Sequence, residues 1–138
     1  FFSIYEFMNT DNLYLSNYTP PELASYCNGS DIEIFSKRML EEASNIFKSH
    51  KDREHVTLHI RNNPNIFSQI NVVASPDIYY PNLGLTLDEW DDYLLINKII
   101  ENFYDKNKFF KCSDIINFLN NNQYLYSLNK HVKRKILN

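Results

Sequence analysis

The sequence predicts an α/β fold on three observations. Short segments with period-two alternation, such as "DNLYLSNYT", are interleaved with longer ones whose apolar residues recur at helical spacing. Turn chemistry, including Pro20-Pro21, Asn28-Gly29 and Pro64, punctuates them. The 138 residues are 43% hydrophobic and 22% charged, as in a globular chain long enough to bury a core.

The opening "FFSIYEFMN" reads as the tail of an amphipathic helix, with no Met and no cap before it, as in a piece of something longer. Leu13 and Leu15 alternate with polar neighbours and predict a strand. After the turn-rich "PPELASYCNGSD", "DIEIFS" predicts a second strand, with Ile32 and Ile34 on one face and Glu33 and Phe35 on the other. Ser36 is placed to cap the helix "KRMLEEASNIFKSH", whose inner face is Met39, Leu40, Ala43, Ile46 and Phe47.

Asp52 is then expected to cap a helix over residues 53–62, with Val56 and Ile60 inward and Pro64 as its stop. "FSQINVVAS" and "LGLTLD" predict two further strands, the second ending at Asp88. "EWDDYLLINKIIENFYD" is the longest expected helix. Its stripe is Trp90, Tyr93, Leu94, Ile96, Ile99, Ile100 and Phe103, and its acidic first turn suits the positive end of the helix dipole. Ser113 is expected to cap "DIINFLNN", and the basic tail over residues 130–135 to be solvated.

Several function classes are disfavoured. A net charge of −3 is unlike the basic field of a general nucleic-acid binder. No uncharged run approaches membrane-spanning length, so no membrane partner is expected. Cys27 and Cys112 form neither a CxxC pair nor a dense framework, which fits reduced thiols in a cytoplasmic protein. His55 and His59 are four apart, but Glu54 precedes the first rather than following it, and no third zinc ligand stands nearby.

Three segments, in order, resemble one family. "YCNGSDIEIFS" is similar to Y-P-D-G-L-D-V-E-V-F-S, "DREHVTLHIRNNPNIF" to S-E-R-E-H-V-T-P-Y-I-R-N-H-P-E-L-F, and "LGLTLDEWDDYLLI" to L-R-L-T-L-D-T-P-E-D-Y-E-L-I. These patterns are those of the cytidylyltransferase family that includes spore-coat polysaccharide biosynthesis enzymes, related to the CMP-KDO and CMP-sialate synthetases. The likeness runs from about Asp11 to the C-terminus. It implies the C-terminal part of a three-layer α/β/α, Rossmann-like nucleotidyltransferase with a mixed sheet and flanking helices. The family's N-terminal R-M-G-S-x-R-L-P-G-K and G-D-x-P motifs are missing from these residues, so the nucleotide-binding part is expected to be absent and the fragment inactive alone.

The resemblance further implies CTP and a sugar or sugar-acid acceptor as substrates, Mg²⁺ as cofactor, a homodimer, and a role in surface polysaccharide biosynthesis. Attack on the α-phosphate of CTP concentrates negative charge, which Mg²⁺ and cationic side chains stabilise. Asp88 matches the family's C-terminal metal carboxylate; its alternative role is a helix cap. Arg53, Glu54 and His55 match a wall of the acceptor pocket, where Arg53, and Arg61 as well, can pair with a sugar carboxylate or phosphate. The alternative for Glu54 and His55 is to brace their helix against the Asn28-Gly29 turn. Gly29 fits a close backbone approach or a plain turn. Asp31 and Glu33 fall on one strand face, toward a polyhydroxylated sugar or simply an edge.

The sequence departs from the pattern at four places. Gly84 replaces an arginine, Cys27 a proline, Ser30 a leucine, and Glu89-Trp90 a Thr-Pro pair. A non-catalytic dimerisation or scaffold module derived from the same fold is the competing expectation.

Overall fold

The computed structural model describes residues 13–134, so the opening helical segment lies outside the described residues. The chain forms two compact units. One comprises residues 13–24 and 32–73, the other Ser25–Asp31 and 74–134.

The first unit is built on a three-stranded mixed sheet in the order β2-β1-β3. Central β1 (Leu13–Ser16) pairs antiparallel with β2 (Glu33–Ile34), Ser16 opposite Glu33. It pairs parallel with β3 (Ser68–Asn71), Ser16 opposite Asn71. The expected polar alternation of β1 gives way to burial on both faces. Leu13 and Leu15 pack with Ile34, Ile70 and Val72, whereas Tyr14 joins Met39, Ala43, Ile60 and Phe67. A tyrosine ring is apolar enough to serve as core once its hydroxyl is accommodated.

Helix α1 (Lys37–Ile46) begins at Ser36, whose Oγ accepts from the Met39 amide at 3.1 Å. It buries Met39 and Ala43, as the spacing predicts, and ends earlier than expected, leaving Ile46 exposed.

The continuous helix expected over 53–62 is two short ones, α2 (His50–Glu54) and α3 (Leu58–Arg61). Asp52 lies inside α2 rather than capping it. Between them the Leu58 amide donates to the His55 carbonyl at 2.9 Å, a tighter turn than α-helix. Val56 and Thr57 are β-branched and poor helix formers, and Thr57 bonds instead to Glu33. The break turns Thr57, Leu58, His59 and Ile60 inward, while Val56, expected inside, is exposed.

In the second unit the expected strand "LGLTLD" is reduced to one parallel bridge between Asn28 and Gly84. The Asn28 amide donates to the Leu83 carbonyl (2.9 Å) and the Leu85 amide to the Asn28 carbonyl (2.8 Å). Helix α4 (Trp90–Phe103) has Glu89 as its N-cap residue. Its inner face is Asp92, Leu95 and Ile99. Trp90, Tyr93 and Ile100, expected within the stripe, are 69%, 44% and 44% exposed. Asp92 sets this register, because it is the residue that the helix start ties down.

Helix α5 (Cys112–Asn121) starts one residue before Ser113, with the Asp114 carboxylate accepting from the Lys111 amide at 2.8 Å. Helix α6 (Gln123–Tyr126) follows. Leu95, Ile99, Ile116, Leu119 and Leu125 close this core around Cys27 and Leu83. No helix among the described residues is long and apolar enough to cross a membrane.

Candidate functional site

The first unit gathers polar side chains at the C-terminal end of the parallel pair β1 and β3, where α/β proteins present reactive groups. Register supplies the arrangement: pairing Ser16 with Glu33 brings β2 to the residues that follow β1. The Glu33 carboxylate accepts hydrogen bonds from the Tyr18 hydroxyl and, at 2.9 Å, from Thr57 Oγ1. Arg61 Nε lies 3.9 Å from the same oxygen, and its guanidinium stands 5.4 Å from the Tyr18 ring centroid. The Glu33 and Arg61 side chains are only 18% and 14% exposed, so their charges interact with less screening than on an open surface.

Burial, then the Glu33 carboxylate, pushes the Tyr18 phenol up to about 12. Tyr14, fully buried beside Glu33 and Thr19, is raised further by the same causes in the same order. Both phenols therefore remain protonated donors at neutral pH. Asn71 Oδ1 and Arg61 Nε are buried without a hydrogen-bond partner among the described residues. Buried polar atoms of this kind usually have one. A cation, the Tyr18 phenol, a threonine and a carboxylate gather at a strand end, groups suited to binding hydroxyl and carboxylate groups.

The second unit holds a charged cluster at the start of α4. Asp92, 0% exposed, accepts from Arg134 Nη2 at 2.6 Å and from Asn129 Nδ2 at 2.7 Å. Its other oxygen accepts from the Glu89 and Asp88 amides at 3.1 and 3.2 Å. Burial works to raise this carboxyl, but the bonds from Arg134, Asn129 and the two amides prevail and hold it well below the usual carboxylate range. Arg134 also donates to Thr86 Oγ1 and lies 3.6 Å from the Asp88 carboxylate. The tail expected to be solvated is thus pinned at Arg134, whose side chain is 19% exposed.

The predicted residues divide between the units. Glu33, Arg53, Glu54 and His55 fall in the first; Gly29, Asp31 and Asp88 in the second. Of the first group, Glu33 sits in the polar cluster, Arg53 and Glu54 are exposed on α2, and His55 is half-buried in the turn after it. Asp31 is exposed and precedes β2, so the strand alternation expected to align it with Glu33 does not reach it. Gly29 has φ 98°, and a Cβ there would meet the Leu85 carbonyl at 2.9 Å; a turn and a close backbone approach both require glycine. Asp88 has a side chain 70% exposed and gives only its amide to the helix start, the N-cap being Glu89.

Tyr18, Thr57, Asp92 and Arg134 were not legible as site residues. Glu33, expected on a sugar-facing strand face, and Arg61, considered as an anion partner, pointed toward the cluster that forms. Among the described residues no group of three or more His, Cys, Asp or Glu side chains could hold a metal ion.

No protein-family model matches the sequence. The chain is 30% identical over 107 residues to an uncharacterized protein of Methanocaldococcus jannaschii, covering 78% of this chain and 43% of that protein. Among solved structures it is similar to a cytidylyltransferase from Leptospira borgpetersenii serovar Hardjo-bovis, with a TM-score of 0.76 and 22% identity. That likeness covers 96% of this chain and 51% of the other, so the chain spans about half the length of the proteins it matches. Its α/β fold, a mixed three-stranded sheet with helices, is that of a cytidylyltransferase-like nucleotidyltransferase over nearly all its residues.

Proposed function

We propose that this chain is the acceptor-sugar side of a CTP-dependent sugar or sugar-acid cytidylyltransferase, corresponding to the C-terminal part of such an enzyme. The observation that carries the reading is the fold likeness to a cytidylyltransferase over 96% of the chain. The three ordered sequence segments support it independently. In this reading the nucleotide-binding motifs lie in polypeptide other than these residues, the assembly is a cytoplasmic homodimer, and the product is a CMP-sugar for surface polysaccharide.

The Glu33 cluster is the acceptor-binding surface. The Arg61 guanidinium receives a sugar carboxylate, and the Tyr18 phenol and the Asn71 amide engage hydroxyls. Thr57 and Glu33 hold Arg61 and Tyr18 in place. Arg53, Glu54 and His55, in the same unit, contribute through the segment that borders the acceptor.

Asp88 fits Mg²⁺ as a lone, solvent-facing carboxylate, since magnesium is commonly held by one or two carboxylates together with substrate phosphates and water. Bound there with CTP, the ion would neutralise charge building on the phosphates. Arg134 lies 3.6 Å from that carboxylate.

The test is pyrophosphate release from CTP by the full gene product, with a panel of sugar acids. Glu33→Gln and Arg61→Lys should raise the acceptor KM, and Asp88→Ala should lower kcat and the response to Mg²⁺. Absence of CTP turnover with every acceptor would overturn the reading in favour of a non-catalytic module.

A further inference from the structure

Cys27 and Cys112 are 85 positions apart in sequence, yet their sulfurs lie 3.7 Å apart in the second unit. Both are free thiols. Cys27 is 0% exposed and belongs to Ser25–Asp31; Cys112 opens α5 and is partly accessible. A disulfide needs about 2.05 Å between sulfurs, so closure requires them to approach by less than the width of an atom, within reach of side-chain rotation. The Ser30 hydroxyl lies 2.7 Å from Cys27 Sγ and can stabilise negative charge as that sulfur becomes a nucleophile.

We propose that Cys27 and Cys112 form a reversible disulfide under peroxide, a covalent clamp between the Ser25–Asp31 turn and the start of α5. The accessible Cys112 thiolate attacks the peroxide, leaving a sulfenic acid and releasing one water. Cys27 then attacks that sulfur, forming the S–S bond and expelling the second water. Two thiols are oxidised and one hydrogen peroxide is reduced to two waters. A dithiol reverses the bond by exchange.

The first oxidation step is slow at neutral pH and speeds up as the pH rises. Burial, then the adjoining Cys27 and the Asp77 carboxylate, push the Cys112 thiol up to about 11, so little thiolate is present at neutral pH. Closing so long a loop restricts the unfolded chain more than the folded one.

The test uses the whole chain with hydrogen peroxide, followed by alkylation of the unfolded protein, intact mass and peptide mapping. The expected result is a loss of two mass units, no alkylation, and a linked peptide carrying Cys27 and Cys112, all reversed by dithiothreitol. The oxidised protein should also melt several degrees higher. Cys112→Ser should abolish the link and leave Cys27 alkylatable; Cys27→Ala, which removes the thiol without burying a hydroxyl, should leave Cys112 to gain oxygen atoms instead. The proposal is overturned if the wild-type chain gains oxygens at Cys112 without linkage, forms only intermolecular disulfides, or keeps both thiols alkylatable. These outcomes do not depend on CTP turnover.

Discussion

Arg134 occupies the space that a side chain on Gly84 would need: a Cβ at Gly84 would overlap the guanidinium. A family pattern with arginine at position 84 meets here a glycine, and a guanidinium arriving from the tail fills the gap. The Asn129 amide, 2.8 Å from the Gly84 carbonyl and 2.7 Å from Asp92, fastens the same tail from its other end.

Gly84→Ala should therefore expel Arg134 and leave the buried Asp92 short of its cation, costing on the order of 2 kcal/mol. In an Arg134→Ala background the same substitution should be close to neutral. A double-mutant cycle on urea midpoints measures this coupling. Equal costs in both backgrounds would show that Gly84 is required for its backbone alone.

Stability should fall in acid through Asp92. Its folded pKa lies below the unfolded value of about 3.9, so its contribution is fully present above that value and declines as the pH drops toward the folded one. Asp92→Asn should be less stable at pH 7 and show a flatter acid dependence below pH 4. Arg134→Ala should cost about 3 kcal/mol at pH 7, because it leaves a buried charge without its ion-pair partner. Denaturant titrations between pH 7 and 2 report both effects.

The phenol of Tyr18 offers a readout of the acceptor cluster that needs no substrate. Glu33→Gln removes a negative neighbour and should lower the Tyr18 pKa from about 12 toward the ordinary value near 10. Difference titration of tyrosinate absorbance against Tyr18→Phe isolates this residue. An unchanged curve would show that burial alone sets it.

Ser36→Ala should cost about 1 kcal/mol by freeing the Met39 amide at the start of α1, and Ser36→Asp should restore most of the loss. Thermal melts of the two variants check this.

What the sequence made legible was local. Ser36 and the α1 spacing could be read directly, because a cap and its helix are neighbours in the chain. Glu33 was recognisable as a polar strand residue, but its meeting with Tyr18, Thr57 and Arg61 depends on strand register and on a helix break that no nearby signal marks. The Asp92–Arg134 pair spans 42 positions and turned an apparently solvated tail into packed structure. It also reset the inner face of α4, moving Trp90 and Tyr93 outward and Leu95 inward. The two cysteines, far apart and unremarkable in sequence, share the same reason: tertiary contact is not written in spacing.

The second unit takes Ser25–Asp31 from ahead of the stretch Ile32–Val73 that belongs to the first. Residues 74–138 produced alone would lose the Asn28 bridge to Gly84 and the Cys27 filling of their core. Such a truncate should be loosely packed, binding a hydrophobic dye, and a synthetic peptide spanning 25–31 should tighten it in trans. The polypeptide is interlaced, so a single cut cannot release the two bodies intact, and boundaries for any fragment must follow spatial rather than linear neighbours.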